Sequence, residues 1–213
     1  MVFRLVGDQK NQPFMEKYMR NQFPFLGLRT PQRKAQSQAF IKASKQWPTT
    51  KVIATVNRLY QRKPREYQYV AIDVADANVN RLAFSDIKAL TQFVQIKSWW
   101  DTVDAWRKVF GKFVILHPEQ KPAVFALFYR HKNFWMRRVA ILLQLLEKQT
   151  LDTELLTKAI EFDQTTNEFF IQKAIGWALR NYSKYHPEWV KQFLESHELS
   201  KLAVKEGSKM LRR

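Results

Sequence analysis

A large aromatic side chain returns along this chain at a nearly fixed interval: Tyr67, Trp99, Trp135 and Phe170 are separated by 32, 36 and 35 residues. Each is followed at +4 and +7 by side chains on its own stripe: Ala71 and Val74, Val103 and Trp106, Val139 and Leu142, Ala174 and Trp177. Steps of four and seven trace one face of an α-helix, and recurrence at about 35 residues fits two helices per repeat. One such unit cannot bury its apolar face alone, so the repeats must stack.

The expected architecture is therefore all-α: a HEAT-like helical-repeat solenoid of stacked antiparallel helix pairs with one continuous core and a concave face open to a long ligand. The tetratricopeptide pattern has a similar period, but its fixed Trp, Gly, Tyr, Ala and Pro positions do not recur. Helix starts fall between the anchors, at "LRTPQRKAQ" with Thr30 as N-cap and Pro31 at the first position, and at "ILHPEQKP" and "KYHPEWV". Only five Gly and eight Pro in 213 residues leave little room for hairpins, and the stretches 62–68 and 76–81 read as short polar joints. A single domain over 1–213 is expected.

The chain has no cysteine, which removes disulfides and thiolate metal sites and suits a reducing, cytoplasmic setting. Its four histidines lack metal-ligand spacing, so no metal is expected. The first twenty residues are broken by Asp8, Gln9 and Asn11 before a long apolar run forms, which argues against a signal peptide or a membrane span. Lys and Arg total 36 against 19 acidic residues, a formal charge of +17 spread along the chain. A dispersed excess of that size suits a phosphate backbone better than one local anion or a membrane surface. No symmetric apolar patch stands out, so a monomer is expected.

Three helices carry residues that do not fit a plain core. In "KSWWDTVDAW", Trp99, Val103, Trp106 and Phe110 share the core stripe, while Trp100 falls on a second face with Asp104, Arg107 and Gly111. The plainer reading wedges Trp100 against a neighbouring helix and pairs Asp104 with Arg107 or another cation; the other has both side chains meeting a ligand. In "NFWMRRVAILLQLLEK" the expected core set is Trp135, Val139, Leu142 and Leu146, with Arg137, Gln144 and Lys148 toward solvent. Arg138 sits beside Phe134, Ile141 and Leu145 and needs an anion, either a carboxylate or a bound phosphate. In "NEFFIQKAIGWALRNYSKY", Lys173, Trp177, Arg180 and Lys184 form a basic stripe around an indole, the pattern that suits a sugar-phosphate backbone. Trp177 equally continues the core stripe of Phe170 and Ala174, and periodicity does not choose between the two.

These segments, with "EKYMRNQFPFLGLRTPQR" and "REYQYVAIDV", recur in order at similar intervals in the AlkD-type DNA alkylation-repair glycosylases, a HEAT-like-repeat family that the chain resembles from Met15 to Leu199. The resemblance implies excision of cationic alkylpurines, such as N3-methyladenine and N7-methylguanine, from duplex DNA without a metal or cofactor. It implies a catalytic group at Trp100, Asp104 and Trp177, with Arg138 and Tyr18 as DNA contacts, and a lesion gripped through its backbone rather than flipped into a pocket. The chemistry is compatible with those residue types. An alkylated purine already carries the positive charge that makes it a good leaving group, so the remaining demand is a carboxylate near C1′ as oxocarbenium character grows, with indole faces against the sugar. A non-catalytic helical-repeat module binding DNA or RNA, and a protein-interaction adaptor, are the competing readings. Each accounts for the repeat without requiring Trp100, Asp104 and Trp177 to meet.

Overall fold

A computed structural model describes residues 3–211, and every regular element among them is helical, with no strand. No helix of the described residues is long and apolar enough to cross a membrane. The chain divides into two compact units, Met1–Asp86 and Ile87–Arg213.

The first unit contains α1 (Gln12–Tyr18), α2 (Thr30–Ser44), α3 (Thr49–Tyr60) and α4 (Arg65–Asn78), with α4 packed against α2 and α3. The helix expected from "LRTPQRKAQ" forms, one residue earlier than its sequence suggests. Thr30 is already helical and Arg29 is the cap, its backbone N–H donating to Gln32 Oε1 at 3.0 Å. The Tyr67, Ala71, Val74 stripe of α4 is buried as its spacing requires.

Glu66, one residue before the Tyr67 anchor, is also buried. Its carboxylate accepts from the backbone N–H of Leu26 at 2.9 Å and of Leu28 at 3.0 Å, tying the segment before α2 onto α4. Between those donors Gly27 has φ +84°, and a Cβ there would lie 1.9 Å from the Asp8 carbonyl oxygen, so only glycine fits. The expected joint at 76–81 turns out to be a fastening. Asn78 Nδ2 donates to Ser44 Oγ at 2.9 Å, and Arg81 Nη2 donates to the Ser44 and Trp47 carbonyls at 3.1 and 2.5 Å.

The division between units falls inside α5 (Phe84–Leu90). The second unit continues with α6 (Gln92–Gln95), α7 (Trp100–Leu116), α8 (Lys121–Ala126), α9 (Phe134–Leu142), α10 (Thr153–Asp163), α11 (Phe169–Tyr182), α12 (Pro187–Ser196) and α13 (Lys201–Gly207). Side-chain caps fix several starts: Asn133 Oδ1 accepts from Trp135 N at 2.9 Å, Asp152 Oδ1 from Glu154 N at 2.9 Å, and Ser200 Oγ from Ala203 N at 3.1 Å. Both "HPE" triplets mark helix starts, with His117 and His186 as caps and proline in the first turn. α9 packs against α7, α10 and α11, and α11 against α9, α12 and α13.

The all-α helical repeat anticipated from the period is what the chain forms. Three anchors lie at helix starts: Trp99 is the extended N-cap residue of α7, while Trp135 and Phe170 are the second residues of α9 and α11. Their rings touch one another, Trp99 to Phe170 at 5.3 Å, Trp135 to Phe170 at 4.8 Å and Trp99 to Trp135 at 6.1 Å between centroids. Beneath them Trp106 stacks between Phe93 and Phe110 at 5.6 and 6.0 Å.

The α9 segment departs from expectation at its end. The helix stops at Leu142, so Leu146 is exposed and Gln144 is buried, the reverse of the sequence reading. Gln144 is drawn inward by polar pairing: Oε1 accepts from Asp152 N at 2.7 Å and Nε2 donates to Asp152 O at 2.9 Å. Lys121 joins it, its Nζ 3.3 Å from Gln144 Oε1 and 2.7 Å from Glu147 Oε2.

Candidate functional site

Three neighbouring helices of the second unit supply the candidate residues: α7 gives Trp100, Asp104 and Arg107, α9 gives Arg138, and α11 gives Trp177. Trp100 and Asp104 lie one helical turn apart; Trp100, off the core stripe, is half-buried, and so is Trp177, although it continues the stripe of Phe170 and Ala174.

Arg138 is 5% exposed, and the anion its burial demands is Asp104. Nε donates to Oδ1 and Nη2 to Oδ2, each at 2.9 Å, the parallel fork that guanidinium and carboxylate make best. The remaining nitrogen, Nη1, donates to the Phe170 carbonyl at 2.5 Å, which ties the pair to the start of α11. The carboxylate keeps 20% side-chain exposure, so it is held from one side and reachable from another.

Arg107, three residues after Asp104 on α7, lies against Trp177. It is 7% exposed, its guanidinium carbon lies 5.6 Å from the centroid of the Trp177 ring, and its Nε and Nη1 are enclosed with no hydrogen-bond partner. Burial pushes its pKa down and the nearby positive charge of Arg138 adds to that, while Asp104 opposes both. A guanidinium stays protonated regardless.

The stripe Lys173, Trp177, Arg180, Lys184 divides between directions. Lys173 Nζ and Arg180 Nη1 converge on Glu206 of α13, at 2.9 Å to Oε1 and 2.8 Å to Oε2. Lys209 adds a third cation at 2.7 Å from Oε2. Hydrogen bonds from Lys173 and Lys209 bring the Glu206 carboxyl down to about 2. Gly176 sets this crossing, because a Cβ on it would lie 2.4 Å from Glu206 Cβ and 3.0 Å from the Ala203 carbonyl oxygen. Trp177 meets Arg107 instead, and Lys184 is exposed. Tyr18 belongs to the first unit, at the last residue of α1, and is 71% exposed.

Two residues central to this geometry were not singled out as site residues in the sequence. Arg107 was visible only as a cation three residues beyond Asp104 on the same face. Glu206 lies in the C-terminal segment, which carried no recognisable signal. Its one cue is that it stands as a lone acid among Lys201, Lys205 and Lys209.

A family model described as DNA alkylation repair enzyme matches this chain over residues 2–211. A solved structure of a predicted DNA alkylation repair enzyme from Enterococcus faecalis is 47% identical, covers 100% of both chains and superposes with a TM-score of 0.97. No curated protein matches the chain.

Proposed function

Since the chain belongs to the DNA alkylation repair enzyme family, we propose that it is a monofunctional DNA glycosylase hydrolysing the N-glycosidic bond of cationic alkylated purines, such as N3-methyladenine and N7-methylguanine, in duplex DNA. It acts without a metal or cofactor, as a monomer, in the cytoplasm. The observation that carries the reading is the carboxylate of Asp104, forked onto Arg138 and still partly open, in a group that includes two half-buried indoles on α7 and α11.

A carboxylate has about four lone-pair positions and the Arg138 fork uses two of them. The others are available to a water and to the electrostatic field of a cation at C1′. As the bond to the purine lengthens, positive charge builds on the sugar and Asp104 stabilises it while orienting the attacking water. Trp100 and Trp177 pack on the deoxyribose, and an indole face beside a growing cation contributes about 0.5–2 kcal/mol. The purine leaves neutral, so no general acid is needed. Arg138 holds the carboxylate in register, and Tyr18, Lys173, Arg180 and Lys184 contact the DNA backbone.

The test is incubation of the full chain with methylated duplex DNA and chromatography of the released bases. Release of N3-methyladenine and N7-methylguanine, with little release of uracil or hypoxanthine, is expected. Tight, salt-dependent duplex binding with no base released would leave a non-catalytic binding module in its place.

A further inference from the structure

The cluster around Asp104 sets one carboxylate between two guanidinium groups, and the two are satisfied unequally. Arg138 has all three nitrogens engaged, two on Asp104 and one on the Phe170 carbonyl. Arg107 is almost as deeply buried, yet its Nε and Nη1 have no partner. Its charged neighbours are Asp104, whose two oxygens already serve Arg138, and Arg138 itself. A desolvated cation with unmade hydrogen bonds is costly, and an indole face offsets only part of that cost. A chain that needed merely to fill this space would be better served by an apolar side chain of similar length. The nearby cations of α11 do not share the deficit, because Lys173 and Arg180 are bonded to Glu206.

We propose that Arg107 is an anchor for a backbone phosphate of the nucleotide whose sugar lies against Trp177, and that this phosphate is the anion missing from the Arg107, Asp104, Arg138 cluster. The inference rests on reading the site as a DNA-binding one. A phosphate offers two oxygens to the same planar fork by which a guanidinium takes a carboxylate, so Nε and an Nη can be satisfied together. A sugar seated on Trp177 brings its own phosphates alongside, and the arginine exchanges its ring contact for the anion. That anion also neutralises the second positive charge beside Asp104, so the carboxylate faces the sugar without an uncompensated guanidinium next to it.

The test uses fluorescence anisotropy of the full chain on a duplex carrying a tetrahydrofuran abasic-site analogue, across a salt series. Wild type, Arg107→Met and Arg107→Lys are compared, on the native duplex and on duplexes with one flanking phosphate at a time replaced by a neutral methylphosphonate. Arg107→Met is expected to melt no lower than wild type, to bind about tenfold more weakly, and to show a slope of log K on log salt smaller by about 0.9, the value for one phosphate contact. Arg107→Lys should recover part of the affinity. Neutralising one particular flanking phosphate should cost wild type about tenfold and cost Arg107→Met nothing further.

An unchanged slope in Arg107→Met, with the neutral linkage equally costly to both proteins, overturns the proposal. So does a scan in which no flanking phosphate matters to wild type, which decides the question even if Arg107→Met does not fold. The analogue has no base to release, so the two readings fail separately. A wild type that excises no purine but shows the full binding pattern refutes the glycosylase and keeps the anchor. One that excises purine while Arg107→Met keeps its slope does the opposite.

Discussion

Replacing Asp104 by asparagine separates catalysis from binding more sharply than any other single change. The substitution keeps the shape of the side chain and one carbonyl acceptor but removes the negative charge between Arg138 and Arg107. Arg138, at 5% exposure, then holds a buried charge with one neutral acceptor in place of a two-oxygen fork. Breaking a buried pair by removing one partner costs about 3–5 kcal/mol, and the low end applies because Asn retains an acceptor and the carboxylate is partly solvated. At about 2–4 °C per kcal/mol for a chain of this length, the melting midpoint should fall by roughly 6–12 °C. On DNA the effect reverses in sign: the Arg138 guanidinium is loosened from its carboxylate and the negative charge nearest the backbone is gone, so affinity for undamaged duplex is held or increased. Base release should fall by about 10²–10³, the scale for losing one preorganised electrostatic contact in a transition state. Single-turnover release of N7-methylguanine at saturating enzyme, beside anisotropy on the same duplex and a thermal melt, reads all three quantities. Wild-type release by the asparagine variant would refute the assignment of Asp104. A loss of release that merely follows a loss of binding would reduce the residue to a structural tie for Arg138.

Packing and charge at Glu206, Gly176 and Glu66 give four further predictions. Glu206→Gln should release Lys173 and Arg180 and tighten duplex binding at low salt, measured by anisotropy; unchanged affinity would mean these cations do not meet DNA. The Glu206 carboxyl is held at about 2 in the folded chain against 4.5 ordinarily, so its contribution to stability is present above about 4.5 and is lost as pH falls toward 2. Melts of wild type and Glu206→Gln should therefore converge through that window, and parallel curves would contradict the clamp. Gly176→Ala forces a methyl group into the α11 and α13 crossing and should cost about 1–3 kcal/mol in a denaturant titration, whereas a neutral result would mean the crossing relaxes freely. Glu66→Ala strips the acceptor from the Leu26 and Leu28 backbone N–H groups and should destabilise by about 2–4 kcal/mol, with urea midpoints as the readout.

What the sequence disclosed and what it hid divide by range. The anchors at 67, 99, 135 and 170 and their +4 and +7 companions were readable because helical period is a local property; burial follows for most of the set, whereas Trp99, Phe170 and Trp177 stay half-buried. The demand of Arg138 for an anion was readable too, since its neighbours on the helix are apolar. The identity of that anion was not, because Asp104 lies 34 residues away and only the packing of α9 on α7 brings it there. The end of α9 was misplaced for a similar reason. Nothing in "LLQLLEK" breaks a helix, and the turn is imposed by Gln144 pairing with the backbone of Asp152. The split of the basic stripe depends on Glu206, 33 residues beyond Lys173 and 26 beyond Arg180. Arg107 read as a possible partner of Asp104, and its burial beside the Trp177 ring shows only once α7 and α11 are placed.

The contact of Trp99, Trp135 and Phe170 at their helix starts bears on which insertions and deletions the chain tolerates. Trp100 and Asp104 are counted from Trp99, Arg138 from Trp135 and Trp177 from Phe170, each within seven residues along a continuous helix. One residue added between an anchor and its active side chain turns that side chain by about 100° around the helix axis and removes it from the group. Residues added at exposed Lys148 and Gln149, outside any helix, leave every such interval intact. Length variation should therefore be tolerated better at an exposed, unbonded point such as Lys148–Gln149 than in the first two turns of α7, α9 and α11, where it shifts the register of the group.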